Sequence, residues 1–278
     1  DTLTSLDGLQ SLETVDGSLN IRMNASLTTL AGLESLRSVG SFGLSITDNP
    51  QLTSIRALAS LESVNSRITI WGNDRLESLA GLENLSSVGG LHIVSNEQLS
   101  SLTNINKLEF VGLSGIHILD NPRLSSLGTF AQLTSVEGDV LLAANNSLSS
   151  LKSFENITRI AGVLGIGDAS SYYGDFGAGG SDDSDNGSGN SDADMRGTEF
   201  SSLTELTSLT SVGGLHISDN LQLSSLAGLE KLTALSTSLR ISNNEVLGSL
   251  APLANINSPV QSLVIDNNDA LTTLTGLE

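Results

Sequence analysis

The chain has 278 residues, a formal net charge of −19, no cysteine and only 3% aromatic residues. The charge leaves no basic face for a nucleic acid and disfavours anionic lipid. The missing cysteines exclude disulfides, thiolate metal sites and a cysteine nucleophile, and the few aromatics point to a narrow core layered with Leu, Ile and Val rather than a compact globule.

A partial repeat comes first, from Leu3 to Val15. Thereafter one element recurs, L-x-[LI]-x-x-N-x-x-L-x-x-L-x-x-L-x-x-[LI]-x-x-[VIL]. Strand-like segments are predicted to begin at Leu19, Leu44, Ile68, Leu91, Ile116, Val140, Leu164, Leu215, Leu239 and Leu263. Two copies are close: GGLHIVSNEQLSSL (Gly89–Leu102) and GGLHISDNLQLSSL (Gly213–Leu226) agree at eleven of fourteen positions. A period of this length marks stacked repeats that share one continuous core. In Leu91-His92-Ile93, alternation sends Leu and Ile inward and His92 outward. The Asn after each strand is expected to turn inward and bond backbone groups freed by the turn. The spacing of three in the tail suits 3₁₀ turns or extended corners better than an α-helix, and glycines after the Val, as at Gly89 and Gly213, allow a corner.

Ser78–Leu99 reads SLxGLxxLxxVGGLxIxxNxxL, and Ser202–Leu223 repeats it with one departure. In these features the chain resembles the leucine-rich-repeat superfamily, and within it the receptor-L-domain-like repeats of microbial cell-surface and cell-wall proteins. The resemblance implies a mainly β, right-handed solenoid of about ten 23–25-residue turns with a parallel sheet along one face. It also implies an extracellular or cell-surface location. The cysteine-rich neighbours of receptor versions are lacking, so a hormone-receptor role is not implied.

One rung breaks the rhythm. After Leu164 the expected Asn is Ala169, and the repeat resumes at Phe200. The segment 169–199 is rich in Gly, Ser and Asp and predicts a mobile loop beside the sheet within a single solenoid spanning 1–278.

The outward strand positions supply the first candidate site. Trp71, Val94, Leu119, Leu141 and Ala143 would form an apolar strip edged by His92 and His117. With rungs about 4.8 Å apart this is one contiguous patch, the kind that marks an interaction surface; its competing reading is that the strip is covered by the insertion or another part of the full protein. Tyr172, Tyr173 and Phe176, the only clustered aromatics, open the insertion and are candidates to meet the same ligand or pin the loop to the face. His92 and His117 sit one rung apart and could chelate a transition metal, although no third ligand adjoins them. Asp182, Asp183, Asp185 and Asn186 could offer oxygens to calcium, and Asp182-x-Ser184-x-Asn186-Gly187 resembles the start of an EF-hand loop. Ala193 stands where that loop needs its bidentate Glu, so solvated acidic loop is the stronger reading and no cofactor is expected. Paired hydroxyls repeat from Thr28-Thr29 to Thr272-Thr273; they suit either local backbone bonding at corners or a water-ordering array.

No Ser–His–Asp set, paired-carboxylate cleft or phosphate loop appears, so the chain is not read as an enzyme. The leading expectation is a recognition or adhesion module that binds a protein or glycan through the strand face and the insertion. The alternatives are a wall or filament component with end-to-end contacts to further repeats, and an ice-binding surface. No apolar run is long enough to insert in a membrane.

Overall fold

In the computed structural model, residues 2–167 and 200–277 are described. The protein is mainly β, with 33% strand and 4% helix, and forms a parallel-sheet solenoid of about nine turns, close to the expected number. The low helix content settles the tails: their spacing of three produces turns, in which each Leu N–H reaches the carbonyl three residues back, as Leu33 to Leu30 and Leu36 to Leu33 do. Only Arg56–Leu58, Lys152–Phe154 and Ala251–Leu253, among described residues, close into 3₁₀ helices.

The strands are β1 (Thr14–Val15), β2 (Ser18–Arg22), β3 (Ser38–Val39), β4 (Gly43–Thr47), β5 (Ser63–Trp71), β6 (Ser87–Val94), β7 (Phe110–Leu119), β8 (Ser135–Val136), β9 (Val140–Ala143), β10 (Arg159–Gly167), β11 (Ser211–Ser218), β12 (Ala234–Leu235), β13 (Ser238–Ser242) and β14 (Ser262–Asp266). All pair in parallel within one sheet. Several begin earlier than alternation predicts. β5, β6 and β10 run from the Val or Ile of the preceding tail, through the corner, into the next strand. Their register slips at that corner, between Val64 and Arg67 in β5 and between Ile160 and Val163 in β10. A bulge there lets one strand serve two short ladders at different angles.

The core is a stack of aliphatic layers. In the turn that opens with β6, Leu91, Ile93, Leu99, Leu102, Ile105 and Leu108 are all 1% exposed or less. On the inner rungs, from Asn49 to Asn145 and at Asn220 and Asn244, the Asn that follows the strand is buried and its bonds pass from rung to rung. Asn96 Nδ2 donates to Ile70 O at 3.0 Å and to Val94 O at 2.9 Å, and its backbone N–H donates to Asn121 Oδ1 at 3.2 Å. The pattern repeats at Asn49, Asn73, Asn121 and Asn244. Each Asn therefore satisfies carbonyls of its own strand and the previous one while the following Asn caps its amide, so the core carries no wet seam.

The stack passes straight across the insertion. Arg159 pairs with Ser211 and Leu164 with Leu215, Asn220 Nδ2 reaches Ile166 O at 3.1 Å, and the Glu205 carboxylate accepts from Ser150 Oγ at 2.7 Å. These partners are 51 to 55 residues apart, about two repeats, yet they sit on adjacent rungs. Gly167, the last residue of β10, has a φ of +112° that suits only glycine; a Cβ there would lie 1.6 Å from Ser218 O.

Candidate functional site

Strand alternation builds the outer face of the sheet. On β5, Ile68 and Ile70 are fully buried in the core, so Arg67, Thr69 and Trp71 share the opposite face. Register places Ser45 and His92 on either side of Thr69, and Thr47 and Val94 on either side of Trp71. The columns continue as His117 and Leu141, and as Leu119 and Ala143. Trp71, His92, Val94, His117, Leu119 and Leu141 are thus brought onto one surface, as alternation predicts.

Their exposure differs from the expectation. Trp71 is 43% exposed, but Val94, Leu119, Leu141 and Ala143 are between 0% and 3% exposed and make a second apolar cluster, separate from the core. The expectation of an open apolar strip is therefore corrected: from β6 onward the strip is withdrawn from water, and only its first member, Trp71, remains open. Burial of about four aliphatic side chains on the outer face is the outcome the hydrophobic effect favours. Alternation assigns a residue to a face and carries no information about what lies over that face. Tyr172, Tyr173, Phe176, Asp182, Asp183, Asp185 and Asn186 lie outside the described residues.

The histidines share this withdrawn region. The His92 and His117 rings stack with centroids 4.2 Å apart and planes 13° from parallel. His92 Nε2 lies 2.7 Å from Ser114 O. Burial pushes the His92 imidazole down to about 4, against a rise from the Ser114 bond, with Arg67 adding to the fall. Burial pushes His117 down to about 3, with His92 and Arg67 adding to it. Both rings are neutral at ordinary pH. Stacked rings present faces to each other, a geometry for packing rather than for converging two nitrogens on an ion. Among the described residues no group of three or more His, Asp or Glu side chains is placed to hold a metal.

Toward the N-terminal end the face is open and polar. Asn20 and Arg22 are exposed and Ser45 and Thr69 half-buried. Arg67 was missed by columns counted only from the first core residue of each strand, because β5 begins earlier than Ile68; the alternation Arg67-x-Thr69-x-Trp71 is the signal that finds it. Arg67 is partly buried, and neither ion pair among the described residues, Arg37–Glu62 and Arg159–Glu137, involves it. Its neighbours along the same column are Gly43 and Gly90.

The hydroxyl pairs lie at a corner of the turn. The second hydroxyl of every pair accepts a backbone N–H two residues on, at 3.1 to 3.4 Å, as Ser101 does from Thr103 and Ser225 from Ala227. Several first hydroxyls donate to a carbonyl of the previous rung, as Ser125 Oγ does to Ser100 O. These groups stitch the corner.

No helix of the described residues is long and apolar enough to cross a membrane. The chain matches no protein-family model and no curated protein.

Proposed function

We propose that this solenoid is a non-enzymatic recognition or adhesion module of the leucine-rich-repeat, receptor-L-domain-like kind, acting outside the cell or at its surface. Its ligand is a protein or glycan held against the outer strand face. The observation that carries the reading is Trp71: a large indole 43% exposed on the outer strand face, flanked by Thr47 and Val94 on the neighbouring rungs, with Thr69 and Ser45 beside it in the adjacent column. Exposed Trp on a preorganised surface is a strong anchor for a partner, because little conformational entropy is lost on binding. The bonded state of the corner hydroxyls weighs against a water-ordering surface as the main role.

The test is binding of labelled protein to intact cells and to arrays of extracellular proteins and glycans. Trp71→Ala is expected to remove most of the binding, and a bulky group at Ser149, on the hydroxyl corner, to leave it unchanged. Equal binding by wild type and Trp71→Ala on every captured partner sinks the reading.

A further inference from the structure

The open end of the strand face combines three chemistries on one strand. Arg67, Thr69 and Trp71 project from the same side of β5, each separated from the next by roughly 6.6 Å. We propose that they form a subsite for an acidic saccharide: the indole of Trp71 stacks on the apolar face of a pyranose, Thr69 bonds a ring hydroxyl, and the Arg67 guanidinium takes the carboxylate. This rests on the strand-face recognition reading and gives it a ligand class.

Charge complementarity at Arg67 itself, within a chain that is acidic overall, carries the argument. The chain holds 31 acidic residues against 12 basic ones, so a partly buried cation ordinarily finds a carboxylate of its own. Arg67 forms no ion pair among the described residues. It acts instead on the His92 and His117 rings, lowering both, and neither neutral ring balances its charge. Gly43 and Gly90 flank it on neighbouring rungs, where the main chain of Arg67 and Ser114 packs close against them. An arginine fork with no carboxylate partner among the described residues is suited to a planar carboxylate. One feature favours a sugar over an acidic peptide: a row of small polar side chains, Asn20, Ser45 and Thr69, runs in register beside the indole. Such a row matches the repeated hydroxyls of a saccharide chain laid across the rungs.

Trp71 is the only tryptophan, so its emission reports the subsite directly. Wild-type protein is titrated with a galacturonic acid hexasaccharide, its fully methyl-esterified neutral form, and a hexaglutamate peptide, by fluorescence and calorimetry. The acidic sugar is expected to shift the emission and to bind about tenfold or more tightly than the ester, the scale of one charge-assisted hydrogen bond. Arg67→Gln is expected to erase that difference, and Trp71→Leu to weaken both sugars in calorimetry, with circular dichroism unchanged in each variant. Equal affinity for acid and ester, a preference retained in Arg67→Gln, hexaglutamate binding as well as the sugar, or no response to the acidic sugar each overturns the proposal. Those results leave strand-face recognition standing wherever Trp71→Ala still abolishes cell or array binding.

Discussion

His92 and His117 stack face to face at 4.2 Å on adjacent strands, and both are held neutral by burial down to about pH 4 and pH 3. Their folded values lie below the ordinary 6.5, so the unfolded chain binds more protons wherever the pH lies between. The stability that the neutral pair contributes is complete above pH 6.5 and is lost as the pH falls toward 4, at up to about 1.4 kcal/mol per pH unit for each ring. Asp48 and Asp120 oppose this trend at the acid end. Burial raises both, Asp74 adding to the rise at Asp48, so each favours the fold more once protonated. The expected result is a denaturation midpoint that drops from pH 7 to pH 5 in the wild type and drops distinctly less in a His92→Leu, His117→Leu double variant. Parallel pH profiles would show that the pair does not set the acid limb.

Asn121 is fully buried, with Nδ2 on Ile93 O and Leu119 O and with Oδ1 accepting the Asn96 N–H. Asn121→Ala removes all three bonds, and the Asn96 Nδ2 bond to the same Oδ1, from a buried site, while Leu119 O keeps the Ser95 N–H. At about 1–3 kcal/mol for each unsatisfied group, a loss of about 4 kcal/mol is expected in urea unfolding. Asn24 is only half-buried and heads the ladder, where its side chain makes bonds to Arg22 O and Asn49 Oδ1. Asn24→Ala is expected to cost about 1 kcal/mol. Similar losses at the two sites would contradict the ladder as the source of the stability.

Trp71 and Leu119 lie on the same outer column two rungs apart, one 43% exposed and the other fully buried. Trp71→Ala is expected to change stability by less than about 1 kcal/mol, and Leu119→Ala to cost about 3 kcal/mol through a lost apolar contact and a cavity. Acrylamide quenching of the single tryptophan supplies an independent check, since an open indole is readily quenched. A mild Leu119→Ala effect would mean that the outer cluster is wet in solution.

The period made the solenoid legible: once Leu91, Ile93, Asn96 and Leu99 recur at fixed spacing, core and ladder follow from geometry alone. The break at Ala169 was equally readable, because Asn220 had to rejoin the same ladder two repeats later. The state of the outer strip was not. Val94 and Leu119 are outward by alternation whether they face water or another surface, and only three dimensions distinguish the two. Arg67 was hidden for a related reason, since the bulge that carries β5 through its corner has no fixed sequence mark and adds an outward position before the first core residue.

Gly167 offers the sharpest test of how β10 and β11 hold together across the insertion. It ends β10 in register with Ala143, and at φ +112° its hypothetical Cβ falls 1.6 Å from the Ser218 carbonyl of the next rung. An alanine meets a strained backbone and a clash with main chain that cannot rotate away. Gly167→Ala is therefore expected to cost about 3 kcal/mol, with hydrogen exchange accelerated at the β10–β11 ladder and little changed at β5–β6. The exposed Gly248 has open space around its Cβ position and no positive φ, so Gly248→Ala serves as the control and should be neutral or slightly stabilising. If Gly167→Ala is as mild as the control, the β10–β11 rungs are free to part at this point, and the continuity of the stack across the insertion does not hold in solution.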